Sequence, residues 1–103
     1  MLTEINDASF KENVSGPLDI VLFYKDKCPF CNAMKKILTK FADKPAAQGK
    51  PLRLFQINRE TSPEMTEALG VTRIPSVMVF KGGEKTESKS GDVTFKDLAK
   101  MVA

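Results

Sequence analysis

The chain has no histidine and only two cysteines among its 103 residues. Structural zinc takes four protein ligands, so these residues could hold zinc only across a dimer. Two cysteines separated by two residues cannot staple a secreted fold. Without a signal peptide, such a pair points to catalysis or metal binding. The start, Met1-Leu2-Thr3-Glu4-Ile5-Asn6-Asp7, has neither a basic n-region nor an apolar h-region, so no signal peptide is expected and the cytoplasm is the expected location. No uncharged apolar run is long enough to span a bilayer, so no membrane association is expected. The formal charge is +3, with lysines scattered and no basic block interleaved with aromatics, which argues against dedicated nucleic-acid binding. There is no internal repeat, low-complexity tract or second domain. Residues 1–103 are read as one domain, long enough to build a single core.

What is present is Cys28-Pro29-Phe30-Cys31. It follows the apolar run Ile20-Val21-Leu22-Phe23-Tyr24 and opens a helical pattern. A strand that delivers two thiols onto a helix N-terminus makes a reactive dithiol. The free N–H groups and the positive end of the dipole favour a thiolate there. Pro29 suits the first helical turn, where no N–H is needed. At this spacing the two sulfurs can close into a disulfide, so the pair can cycle by thiolate exchange. Cys28, at the helix start beside Lys25 and Lys27, is the expected nucleophile. Cys31, one turn in, is the expected resolving thiol. Lys25 and Lys27 are equally readable as surface lysines. Phe30 is either a contact for partners or a side chain folded back on the protein.

Along the chain, Leu2 to Ile5 reads as a short strand. Asn6 or Asp7 can cap a helix carrying Phe10 and Val14, which Ser15-Gly16-Pro17 ends. Asp19 to Tyr24 reads as a strand buried on both faces. After Pro29, Ala33, Met34, Ile37, Leu38 and Phe41 recur at helical spacing, with Lys35, Lys36 and Lys40 on other faces, read as a solvated face or, second, as a dock for acidic partners. Lys44 to Pro51 is a loop and Leu52 to Asn58 a third strand. Thr61 to Glu64 start a helix with Met65, Ala68 and Leu69 inward and Gly70 as its stop. Ser76 to Phe80 is another buried strand, and Gly82-Gly83 a hairpin signal. Glu84 to Lys89 is wholly polar and fits only an edge strand. Thr94 begins a last helix with Phe95, Leu98, Met101 and Val102 inward. The order β-α-β-α-β-α-β-β-α implies an α/β sheet, parallel at first and antiparallel near the end, with helices on both faces. The dithiol then lies past the C-terminal end of a parallel strand, where sites in open α/β sheets occur.

These pieces together resemble the thioredoxin family over nearly the whole chain. The matching segments are Asp7-Ala8-Ser9-Phe10, Val21-Leu22-Phe23-Tyr24, the Cys28–Cys31 motif, Gly70-Val71-Thr72-Arg73-Ile74-Pro75-Ser76, Phe80-Lys81-Gly82-Gly83-Glu84, and Gly91. The resemblance implies a thioredoxin fold, a central mixed sheet of four to five strands with helices on both faces. It implies a thiol–disulfide oxidoreductase that reduces protein disulfides and holds no cofactor or metal. Re-reduction by a flavin- and NADPH-dependent thioredoxin reductase is implied too, and a monomer is expected. It also implies a cis bond before Pro75 facing the cysteines, with Arg73, Ile74 and Gly91 flanking a substrate groove. An extended peptide could pair there by strand addition. Pro75 without that context is a turn proline before a strand, and Arg73 a solvated charge.

The sequence also departs from the family. Pro29-Phe30 stands where typical thioredoxins have Gly-Pro, and Pro-aromatic is the glutaredoxin pattern. Lys27 and Tyr24 occupy positions where members usually carry Trp. Leu22 stands where a buried Asp usually moves the resolving thiol's proton, and Leu54 where its Lys neighbour stands. Lys36 replaces a mid-helix Pro. A glutathione-dependent, glutaredoxin-like enzyme is therefore one alternative, although the N-terminal βα unit and the stretch from Pro75 to Gly91 fit thioredoxin better. A dithiol oxidase or isomerase is another, because the residues between the cysteines tune the potential. A non-catalytic binding module is a third, and it would have no need of a reactive dithiol.

Overall fold

Strand β2 (Leu18–Tyr24) organises the sheet. In the computed structural model, which describes residues 2–103 and leaves Met1 outside the described residues, five strands lie in the order β1-β3-β2-β4-β5. β1 (Thr3–Ile5) and β3 (Leu52–Asn58) run parallel to each other, and β3 runs parallel to β2. β4 (Ser76–Lys81) is antiparallel to β2, and β5 (Glu84–Ser90) is antiparallel to β4. Between them run α1 (Phe10–Asn13), α2 (Pro29–Phe41), α3 (Pro63–Ala68) and α4 (Phe95–Met101). The mixed sheet inferred from the element order is the one observed.

The period-2 alternation of strand side chains splits the core in two. Ile20 and Leu22 of β2 face Met34, Leu38 and Phe41 of α2 and Leu98 of α4. Val21 and Phe23 face the opposite way, into Phe10 of α1 and Phe55, Ile57 and Phe80 of the sheet, with Met65 and Leu69 packed against them. α2 and α4 thus cover one face and α1 and α3 the other. Phe10 meets Phe80 edge to face, with ring centroids 5.6 Å apart. The polar edge strand β5 is as expected: Glu84 to Lys89 are all exposed, and a register shift between Val79 and Phe80 interrupts its pairing with β4. Such charge and irregularity discourage further strands from adding.

Several local expectations need correction. Neither Asn6 nor Asp7 caps α1; Ser9 occupies the cap position and makes no side-chain cap bond. The Asp7 carboxylate instead accepts the N–H groups of Glu64 and Met65, at 3.0 and 2.8 Å, and so caps α3 across the fold. Ala68 is exposed, and the buried residue of α3 is Thr66, whose hydroxyl donates to the Ser62 carbonyl. Ala33 is exposed on α2. Phe95 is 38% exposed, with the Lys44 ammonium 4.8 Å from its ring centroid. In each case helical spacing names a stripe, while the neighbouring elements decide how wide a stripe is covered.

Asp19 has no exposed surface although it lies in the central strand. Its carboxylate accepts from Arg53 Nε at 2.8 Å and from the Gly16 N–H at 3.0 Å. Arg53 is its register partner on β3 and also donates to the Asn13 carbonyl at 2.7 Å. A buried charge of this kind is tolerable only when paired and hydrogen-bonded.

α4 begins with a reciprocal cap. Thr94 Oγ1 accepts the Asp97 N–H at 3.1 Å, and Asp97 Oδ2 accepts the Thr94 N–H at 2.9 Å. Lys89 Nζ lies 2.7 Å from the same carboxylate oxygen. The Lys89 hydrogen bond first, then the Thr94 backbone and hydroxyl, lower the Asp97 pKa from 3.8 to about 2. A depressed carboxylate pKa stabilises the fold above its unfolded value, and that contribution disappears as pH falls through the folded value. Denaturant melts of wild type and Asp97→Asn should therefore show wild type more stable at neutral pH. The gap should close as pH falls from about 4 to about 2.

Candidate functional site

β2 ends at Tyr24 and α2 begins at Pro29, so the short loop between them carries the chain from sheet to helix. Cys28 is the N-cap of α2, in extended backbone at φ −117° and ψ 99°. Its Sγ accepts the Cys31 N–H at 3.1 Å. That bond meets one of the orphan donors of the first turn, and an N–H aimed at sulfur stabilises a thiolate more than a thiol. Pro29 at the first helical position needs no N–H partner. Cys28 and Cys31 are joined as a disulfide, with Cα atoms 5.2 Å apart. Cys28 is 8% exposed and Cys31 wholly buried, so Cys28 is the more accessible of the two residues. Phe30 between them is 51% exposed and stands outward rather than folding back.

The register brings the second half of the site to the same end of the sheet. Phe23 pairs with Ser76, which sets Tyr24 beside Pro75. The Ile74–Pro75 peptide bond is cis, as the family resemblance implies, and Pro75 is buried. The Gly91 N–H donates to the Pro75 carbonyl at 2.9 Å, and Gly91 has φ 80°, a left-handed conformation that favours glycine. Gly91 thus braces Pro75 from the end of β5. Arg73 is exposed and Ile74 half-buried. Among the described residues, neither has a backbone hydrogen-bond partner in the loops and turns.

Tyr24, the only tyrosine, donates to Glu4 Oε1 at 2.7 Å, and the same oxygen accepts from Gln56 Nε2 at 2.8 Å. Lys35 Nζ lies 3.9 Å from the Tyr24 ring centroid, so this lysine bridges α2 to the sheet rather than only lining a solvated face. Burial first, and then the Glu4 carboxylate, push the Tyr24 hydroxyl pKa well above its ordinary value. Tyr24 is therefore a neutral brace under the site. Lys25 and Lys27 are both exposed, and Lys27 has φ 55°.

Leu22 is fully buried in the cluster that holds Met34 and Leu38 of α2, and Leu54 lies in the same cluster. Among the described residues the only buried carboxylate is Asp19, committed to Arg53. Asp19 pairs in register with Phe80, at the far end of β2 from Tyr24. Among the described residues the face of the sheet under α2 thus carries no buried acid; Glu4, on the same face at the β1 edge, is exposed and bonded to Tyr24 and Gln56. Two surface concavities, of about 440 and 330 Å³, lie around Arg53 and between α1 and α3, and neither is lined by the cysteines or Pro75. The disulfide lies just below the surface, with Cys28 at its outer side and the exposed Phe30 beside it. Among the described residues no group of three His, Cys, Asp or Glu side chains could hold a metal ion, and no helix is long and apolar enough to cross a membrane.

Reading the sequence did not single out Asp26, Asn58 and Glu60, which tie the loop before Cys28 to the loop after β3. Their partnership depends on strand register, and no local pattern carries it.

The family model described as Thioredoxin matches residues 1–103. Similar curated proteins include the chloroplastic thioredoxin M-type of Pisum sativum, 30% identical over 95% of this chain and 56% of its own. Another is a thioredoxin of Listeria monocytogenes, 28% identical over 88% of this chain and 85% of that one. Among solved structures, a mutant thioredoxin from Halobacterium salinarum superposes with a TM-score of 0.83 over 97% of this chain and 86% of the other, at 18% identity. A thioredoxin from Malassezia sympodialis gives 0.82 over 98% and 88%, at 20% identity. These two likenesses speak to the fold.

Two outcomes are expected of this arrangement. In the reduced protein, iodoacetamide at neutral pH should label Cys28 faster than Cys31 and faster than a free cysteine in a peptide, read by peptide mass mapping. Preferential labelling of Cys31 would reverse the assignment. Leu22→Asp should lower the unfolding free energy in urea by roughly 2 kcal/mol or more, because it buries an unpaired carboxyl.

Proposed function

Since this chain belongs to the thioredoxin family and is a thiol–disulfide oxidoreductase acting on protein disulfides, we propose that Cys28 attacks and Cys31 resolves. The observation that carries this reading is the Cys31 N–H aimed at Cys28 Sγ from the first turn of α2. In the reduced protein the Cys28 thiolate attacks one sulfur of a substrate disulfide. A bond forms between Cys28 and that sulfur, and the other substrate sulfur leaves as a thiolate, which takes a proton. Cys31, as thiolate, then attacks Cys28 Sγ, closes the Cys28–Cys31 disulfide and releases the second substrate thiol. Two electrons and two protons have passed to the substrate. Among the described residues no buried carboxylate lies under α2 to take the Cys31 proton, so in this reading the departing substrate thiolate or a water at the exposed rim of the motif takes it.

Substrate recognition in this reading uses the flat rim. Phe30 offers apolar contact. The backbone of Arg73 and Ile74 can pair with an extended segment as an added strand, and Pro75, held by Gly91, sets its distance from Cys28. Lys27 and Tyr24 support the site from the loop and from beneath. Electrons return from a thioredoxin reductase that draws on NADPH through flavin. A reducing compartment such as the cytoplasm suits this cycle. Pro29-Phe30 favours glutathione as a second electron source. The β1–α1 unit and the full β4–β5 hairpin favour the first reading.

Coupled turnover on insulin disulfides separates the two donors. NADPH with thioredoxin reductase should sustain it, and glutathione with glutathione reductase should not; the opposite result would install the glutathione reading. Cys28→Ser should abolish turnover. Cys31→Ser should accumulate substrate joined to Cys28, seen by intact-mass measurement. Sustained multi-turnover reduction by either variant would contradict the two-thiol cycle.

A further inference from the structure

The loop that delivers Cys28 is three exposed residues, Lys25, Asp26 and Lys27, and a loop of that composition has little to hold it still. Here it is fastened from the side. Tyr24 and Asn58 are register partners at the ends of β2 and β3, and the Arg59 N–H donates to the Tyr24 carbonyl at 2.8 Å. Beyond that point side chains continue the pairing. Asn58, 7% exposed, donates from Nδ2 to Asp26 Oδ1 at 3.3 Å, and its own Oδ1 accepts the Glu60 N–H at 2.9 Å. Glu60 Oε1 then accepts the Asp26 N–H at 3.1 Å. Three residues close a ring of hydrogen bonds between two loops, and Asp26 is gripped by both backbone and side chain.

The next residue shows the consequence. Lys27 sits at φ 55°, a left-handed conformation that disfavours a non-glycine residue and persists only if its surroundings hold it. Lys27 sets the direction from which Cys28 enters the cap position, and that direction places Sγ on the Cys31 N–H. We propose that Asn58, Asp26 and Glu60 form a positioning clamp that fixes Cys28 at the N-cap of α2, so the β3–α3 loop sets the reactivity of the attacking thiol. The clamp rests on Cys28 being that thiol. None of the three residues needs to touch substrate. The other charges on loops at this end of the sheet are Asp7, Lys25, Lys27, Arg59, Arg73 and Asp92, and every variant below leaves them in place.

The test is the pH profile of Cys28 alkylation by iodoacetamide in the reduced protein, with melts recorded alongside. Asn58→Ala and Asn58→Asp each remove the Nδ2 donor. Both should slow Cys28 labelling at neutral pH about tenfold and move the profile to higher pH, the scale of losing a hydrogen bond to a charged group. Combining Asn58→Asp with Asp26→Asn reverses donor and acceptor and keeps the net charge. It should return the profile to within about twofold of wild type. If Asn58→Ala leaves the profile unchanged, or the double variant fails to recover while folded, the clamp is refuted. Should the position-58 variants not fold, Glu60→Gln against Glu60→Ala replaces them. The first keeps an acceptor for the Asp26 N–H and should behave as wild type, while the second should shift. Equal behaviour of that pair refutes the clamp. Failure of the underlying assignment looks different, because wild type itself would then label first at Cys31.

Discussion

Everything in this molecule hangs on burying β2 from both sides. The strand lies between β3 and β4, and Ile20, Val21, Leu22 and Phe23 have no exposed surface at all. A fully buried aliphatic or aromatic side chain contributes about 1.5–3 kcal/mol. Four in succession, alternating between two faces, require two separate helical layers. α2 and α4 answer to Ile20 and Leu22, and α1 and α3 to Val21 and Phe23. The one ionised group in that strand, Asp19, is tolerated because Arg53 and the Gly16 N–H meet it at the edge of the core.

The reactive centre follows from the same constraint. A strand this buried must end abruptly where the sheet ends. The next covering element is α2, whose first turn has N–H groups without partners. Cys28 stands at the junction and its sulfur takes one of them. Antiparallel β4 starts at the same end, which brings the cis Pro75 alongside. The site is built where the central strand β2 ends and β4 begins, from loops that the sheet brings to one end. Such a site fits the protein-disulfide chemistry of the family.

Polar bonds at this end hold loops, whereas apolar packing holds the elements. Asp7 caps α3 from the β1–α1 connection, Gly91 holds the Pro75 carbonyl, and Tyr24 links Glu4 below to Lys35 above. Each joins segments far apart in the chain. Together they convert short, exposed connections into a fixed rim around the disulfide.

How much of this could be read beforehand depends on the range of the interaction. Short-range patterns were legible: the alternation and burial of β2, the helical stripe of Met34, Leu38 and Phe41, the Gly82-Gly83 reversal, the polar edge strand, and the Cys28-Pro29-Phe30-Cys31 spacing with its family context. Where a side chain's fate is set by a neighbour distant in sequence, the reading failed or was silent. Asp7 had the right chemistry for a cap and the wrong helix, because its target came near only when α3 docked. Phe95 and Ala68 fell on the apolar spacing and lay beyond the width that the neighbouring elements cover. Asp19 with Arg53, and Asn58 with Asp26 and Glu60, exist as partners only through the parallel register of β2 and β3. The chemistry of the dithiol was written in the residue types and their spacing, since a helix N-terminus acts on whatever thiol occupies it. The orientation of that thiol belonged to tertiary structure, because the hydrogen bonds that hold its loop come from a strand some thirty residues away, and folding alone brings the two together.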